Sequence, residues 1–90
     1  MKYNLVFTKT AVKDIEKLDT ITKKHIQKKF EYFINLPSPL SVAKKLNNFE
    51  IGEYRWRVGD YRVIFDLEKE KSVNSVIVLR VSHRKEVYKK

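Results

Sequence analysis

The chain has 90 residues with 42% hydrophobic content and no cysteine, which supports one domain (1–90) around one core and excludes disulfides, thiol catalysis and a thiolate zinc site. Lysine and arginine number 20 against 11 acidic residues, a formal net charge of +9 with a pI near 9.8, so the expected partner is a polyanion or an acidic protein, with nucleic acid ahead of membrane. The start, Met1-Lys-Tyr-Asn-Leu-Val-Phe-Thr-Lys-Thr10, has too short an apolar run for a signal peptide and no later run approaches membrane-spanning length, so a reducing cytoplasm is the expected setting.

Taken in order, Tyr3, Leu5 and Phe7 alternate with Asn4 and Thr8 and predict a short first strand. Thr8 or Thr10 is placed to cap a helix running to about Leu18, with Val12, Ile15 and Leu18 on one side. A longer helix is expected from about Asp19 to Leu36. Its apolar stripe is Ile26, Phe30, Phe33 and Ile34, its outer surface is rich in lysine, and Pro37 forbids continuation. The Pro/Ser-rich segment 37–46 reads as a connector with room for one helical turn. A hairpin follows over 53–65, then a charged turn at Glu68 to Asn74, a β-branched strand from Val76 to Val81, and a tail, Ser82-His-Arg-Lys-Glu-Val-Tyr-Lys-Lys90.

The hairpin carries the strongest functional signal. All five arginines lie between residues 55 and 84, while every basic residue in the first 50 positions is lysine. If Gly59-Asp60 is a two-residue turn, Val58 faces Tyr61 and Arg57 faces Arg62. Alternation then gathers Trp56, Val58, Tyr61, Val63 and Phe65 on one face and Arg55, Arg57 and Arg62 on the other. Directly opposed like charges destabilise a sheet by roughly 0.2 to 1 kcal/mol per pair, and arginine offers a planar fork that grips phosphate through two parallel bonds. The pattern therefore points to phosphate. The competing reading is a solvated sheet face with local acidic partners such as Glu53 and Asp66.

The expected architecture is α+β in the order β-α-α-β-β-β, with both N-terminal helices packed on the apolar face of a small antiparallel sheet and a short C-terminal tail or helical turn. The last strand is expected beside Tyr61 to Leu67, which brings its end and the tail toward the hairpin arginines. His25 reads as an exposed surface residue. A metal site shared by His25 and His83 lacks a carboxylate at suitable spacing, and no cofactor is expected.

The stretch Tyr54-Arg-Trp-Arg-Val-Gly-Asp-Tyr-Arg-Val-Ile-Phe65, together with the ending His83-Arg-Lys-Glu-Val-Tyr88 and the β-α-α opening, resembles the RelE/ParE superfamily of toxins from type II toxin-antitoxin systems, over essentially the whole chain. In the RelE branch the toxin enters the ribosomal A site and cleaves messenger RNA. In the ParE branch it inhibits DNA gyrase without nuclease chemistry. Both are neutralised by an antitoxin.

The resemblance implies a metal-independent endoribonuclease of the RelE branch, with a cognate antitoxin, the ribosome and messenger RNA as partners, a monomeric free toxin and an oligomeric complex. It carries catalytic roles onto Arg57, Arg62, Arg84 and Tyr88, with His83 the competing match for Arg84, and it places Arg55, Lys85 and Lys89 on RNA. Arginines stand at 55 and 57 where some relatives have lysine. Lys13, Lys17, Lys23, Lys24, Lys28 and Lys29 would form a second basic surface against ribosomal RNA, or simply a solvated helix face.

Cleavage of this kind uses the 2′-hydroxyl of RNA, whose oxygen attacks the neighbouring phosphorus and expels the next 5′-oxygen. An always-protonated arginine is a poor base, so Arg57, Arg62 and Arg84 suit charge stabilisation. His83 and Tyr88 are the candidates for proton transfer. Histidine is the residue type that exchanges protons near neutral pH, whereas tyrosine can also stack on a base and hold it.

Overall fold

Thr8 both ends the first strand and starts the first helix. Its side chain accepts a hydrogen bond from the Ala11 N–H at 3.1 Å, satisfying one of the donors that a helix N-terminus leaves open. The computed structural model of the chain describes residues 3–46, 52–70 and 73–83. In chain order the elements are β1 (Asn4–Phe7), α1 (Lys9–Glu16), α2 (Thr20–Ile34), a 3₁₀ turn (Pro39–Val42), β2 (Lys44–Lys45), β3 (Tyr54–Val58), β4 (Tyr61–Glu70) and β5 (Val73–His83). The expected α+β order of elements is present. The two helices pack on a five-stranded sheet ordered β1-β5-β4-β3-β2.

The sheet is antiparallel from β2 to β5, as expected, but β1 joins β5 in parallel at the edge, so the sheet as a whole is mixed. The connection from β1 to the rest of the sheet runs through both helices, which is the long crossover that a parallel neighbour requires. Two further departures concern polar segments. Lys44 and Lys45 form a two-residue edge strand against Arg55 and Tyr54, too short to announce itself by alternation. Within the charged segment expected as a turn, the described residues continue the ladder, with Glu68 opposite Ser75, Lys69 opposite Asn74 and Glu70 opposite Val73.

The core is built on the apolar hairpin face. Trp56 is fully buried, its ring stacked between Phe33 at 4.4 Å and Phe65 at 4.0 Å, and its indole N–H donates to the Pro39 carbonyl at 3.0 Å. That last bond gives the buried donor a partner and ties the connector to the sheet. From α2, Ile26, Phe30 and Phe33 are buried as the stripe predicts. In α1 the buried residue is Ala11, whereas Val12 is 42% exposed. The small Ala11 lets α1 lie close to the sheet, turning Val12 sideways.

Strand β5 contains a β-bulge. Ile64 pairs with Arg80 but Phe65 pairs with Val78, so Leu79 is an extra residue on β5. Val76 and Val78 face the helices before the bulge, and Val81 faces them after it. At the same level β1 has ended, and α1 supplies the hydrogen bonds β5 has lost on that edge. The Thr8 N–H donates to the Val78 carbonyl at 3.1 Å and the Thr8 hydroxyl to the Leu79 carbonyl at 3.0 Å. The Val81 N–H donates to the Asp14 carboxylate at 3.0 Å.

Helix α2 begins with Asp19, whose carboxylate accepts from the Thr22 N–H at 3.0 Å. Hydrogen bonds from the Thr22 side chain and backbone hold the Asp19 carboxyl below its ordinary pKa. A depressed carboxylate pKa adds stability that is fully present above the ordinary aspartate value of about 3.9 and is lost as pH falls through the lower folded value. We therefore expect Asp19→Asn, which keeps a capping oxygen but no charge, to melt below the parent at neutral pH. The two melting curves should converge as the solution is acidified past the ordinary aspartate range.

Candidate nucleic-acid interface

The hairpin has the register that alternation requires. Val58 is opposite Tyr61, Arg57 opposite Arg62 and Trp56 opposite Val63, and Gly59 in the turn has φ +58°, the left-handed region that glycine enters without strain. Arg55, Arg57 and Arg62 consequently share the face turned away from the helices.

Their environments differ because their strands do. Arg57 is exposed: β3 has only the two-residue β2 outside it, which reaches no further than Arg55. Arg62 lies on β4, between β3 and β5, and is 6% exposed; its neighbour on β5 is Ser82, 7% exposed. Arg55 is half-buried. Among the described residues neither Arg55 nor Arg57 makes an ion pair.

The face is not uniformly solvated. Ile64 is 3% exposed there, and Gly52 lies so close that a Cβ would meet Ile64 Cγ2 at 2.6 Å and Leu79 Cδ1 at 2.8 Å. The Asp66 carboxylate accepts from the Glu53 N–H at 2.8 Å, holding this segment against the sheet beside the arginines. The acidic neighbour expected to face arginine is thus engaged with backbone.

His83 is placed apart from this cluster. It pairs with Tyr61 at the end of β5 and its ring meets the Tyr61 ring edge-on at 5.3 Å, on the helix side of the sheet. The structure brings Arg57, Arg62 and Ser82 together on one face and puts His83 on the other. Arg84, Lys85, Tyr88 and Lys89 lie outside the described residues. Arg80, whose face no alternation could settle, turns to α1 and makes a two-pronged ion pair with Asp14, Nε and Nη2 each at 3.2 Å from a carboxylate oxygen.

Ser82, which sequence reasoning did not single out, is the side chain brought opposite Arg62. Nothing in its local sequence marks it, because the bulge sets its face. Among the described residues no group of three or more His, Cys, Asp or Glu side chains is placed to hold a metal ion, and no helix is long and apolar enough to cross a membrane.

The family described as ParE toxin of type II toxin-antitoxin system, parDE, matches residues 5–88 of the chain. The chain belongs to this family, within the RelE/ParE superfamily of toxins. It is 31% identical over 90 residues to toxin RelG of Mycobacterium tuberculosis, covering 100% of both chains. Its fold matches the toxin-antitoxin complex RelBE2 of Mycobacterium tuberculosis with a TM-score of 0.78 at 30% identity, over 93% of this chain and 100% of the other. It also matches the RelB-RelE antitoxin-toxin complex of Methanococcus jannaschii with a TM-score of 0.67 at 30% identity, over 92% and 94%. The RelE-like order and packing of elements expected for the toxin are those it has.

The opposed arginines leave a signature in stability. Replacing exposed Arg57 by Thr removes like-charge repulsion from a cross-strand pair and adds a β-branched residue, so the toxin should gain about 0.2 to 1 kcal/mol in urea denaturation at low salt. The gain should shrink at high salt, where the repulsion is screened.

Proposed function

We propose that this toxin is a ribosome-dependent endoribonuclease that cleaves messenger RNA in the A site and halts translation in the cytoplasm. The observation that carries the reading is the direct opposition of Arg57 and Arg62 on the sheet face away from the helices, one guanidinium exposed and the other 6% exposed. Opposed residues have Cβ atoms about 4.5 to 5.5 Å apart, so one phosphate can be gripped by both forks. The similarity to proteins named RelG and RelE supports the same choice.

In the proposed reaction a base takes the proton of the 2′-hydroxyl. The oxygen attacks the adjacent phosphorus, the bond to the 5′-oxygen breaks, and that oxygen leaves with a proton. The products are a 2′,3′-cyclic phosphate, or the 3′-phosphate after hydrolysis, and a 5′-hydroxyl. Arg57 and Arg62 stabilise the charge gathering on the phosphorane oxygens, which guanidinium donors do without a metal ion. Arg84 adds a third positive charge from the tail, while Arg55, Lys85 and Lys89 hold the flanking backbone. Tyr88 is the proton-transfer and stacking candidate for this face. It is only six residues beyond Ser82, a chain reach of about 20 Å at most.

Primer extension on a translated reporter after induction tests the reading. The wild type should leave cuts within codons, and Arg57→Ala and Tyr88→Phe should each reduce them about 100-fold or more, the scale on which a single transition-state donor acts. Intact transcripts under the wild type would sink the reading. Filamentation with broken DNA would instead support the alternative that the family description raises, a ParE-like inhibitor of DNA gyrase.

We assign a cognate antitoxin as the partner, in an oligomeric complex that dissociates to a monomeric toxin. An open apolar cleft of about 510 Å³ lies between α1, α2 and the edge of β1, lined by Leu5, Phe7, Val12, Ile15 and Phe30 among others. The cleft fits the apolar face of an amphipathic segment, and the toxin's charge of +9 favours acidic residues on the rest of it. Val12→Glu should therefore abolish neutralisation by the antitoxin in a co-expression growth assay while message cleavage persists; undiminished neutralisation would refute this docking mode.

A further inference from the structure

The helix side of the sheet holds a second polar pocket at the level of the arginine pair but on the opposite face. Tyr61, Val81 and His83 from the sheet and Asp14, Lys17 and Leu18 from α1 and its exit, with Arg80 at the rim, line an open pocket of about 280 Å³. Cleavage as described above uses none of these groups.

The chemistry of the lining selects an anion. Asp14 is its one carboxylate, and both oxygens are already occupied: Oδ1 by Arg80 Nη2, Oδ2 by Arg80 Nε and the Val81 N–H. Its charge is balanced within the wall, so a cation finds no free ligand. Arg80 remains 53% exposed at its side chain, and exposed Lys17 makes no ion pair among the described residues. The net charge of the lining is therefore positive. The apolar flanks of Leu18 and Val81 raise the effective field between these cations. His83 and the Tyr61 hydroxyl add hydrogen-bonding groups of the kind that phosphate oxygens accept from. The space equals the liquid volume of about nine waters, enough for a phosphate and its attached ribose.

We propose that this pocket is a second phosphate site, which binds a nucleotide phosphate between Lys17, Arg80 and His83. The proposal rests on the RNA-directed reading only for where the phosphate comes from, the backbone of an RNA strand or a free mononucleotide. The bulge in β5 creates the site, because it turns His83 to the helix side while leaving Ser82 beside Arg62.

Amide chemical shifts of the full toxin, titrated with inorganic phosphate, adenosine monophosphate and a single-stranded RNA hexamer, test the proposal. All three probes should move the signals of Lys17, Tyr61 and His83. Lys17→Met, at an exposed position, should weaken phosphate binding about tenfold without changing the melting temperature, and Lys17→Met with His83→Gln should weaken it further. Tighter binding of the hexamer than of the mononucleotide assigns the backbone as the source, and the reverse order assigns the free nucleotide; either keeps the site. Unmoved signals with every probe, or an unchanged affinity in Lys17→Met, overturn it. Since the readout is binding, a phosphate response at Lys17 in a toxin that leaves transcripts intact would keep this site and remove only the nuclease reading.

Discussion

One extra residue in β5 decides what the two faces of this protein carry. Before Leu79 the strand sends Val76 and Val78 toward the helices; after it, Val81 and His83 go that way and Ser82 goes to the other face. Were the alternation unbroken from Val78, Arg80 and Ser82 would turn to the helix side and Val81 would stand opposite Arg62. A bulge is tolerated only if its disturbed hydrogen bonds find partners, and here Thr8 and Asp14 provide them at the Leu79 carbonyl and the Val81 N–H. The contacts of α1 with β5, the orientation of Arg80 and the separation of Ser82 from His83 all go with that local repair.

The same feature explains which parts of the molecule could be read from its amino acids. Strict alternation around Gly59-Asp60 made the hairpin register and the arginine face legible, because strand period and turn length leave one solution. The helix starts were legible to within a turn, with Thr8 chosen by the structure over Thr10 and Asp19 standing where the second helix was expected to begin, and the α2 stripe from its spacing. In contrast, Val76 to Val81 is an unbroken apolar and β-branched run with one arginine, which has no period to interrupt. An insertion there leaves no trace, so the face of Arg80 and the placement of His83 away from the hairpin arginines could not be anticipated. Nothing in the sequence sets Asp14 apart from the chain's other acids, and Ser82 stands at the start of the expected tail.

In the proposed site, Arg57 and Arg62 set function against stability within one strand pair. Exposed positions on an edge-proximal strand are where a fold can most readily accept a second cation, since solvent screens it, and Arg57 occupies such a place. Arg62 is different: a guanidinium at 6% exposure in the middle of a sheet is held in one geometry by its surroundings. A buried fork beside an exposed one suits capture of a flexible polyanion, because the buried fork has already given up its rotamer freedom before the encounter.

The parallel pairing of β1 with β5 also governs when the molecule can exist. Phe7 finds its partner in Val78, and Asn4 in Ser75, so β1 must wait for β5 to be made. At typical synthesis rates of 5 to 20 residues per second, that interval is roughly 4 to 14 seconds. Until then Val6 and Phe7 have no sheet to join, α1 has no bulge to repair, and Arg62 has no strand on its second side. A nascent chain therefore has no assembled arginine face until β5 has been made, because only then does Arg62 meet Ser82.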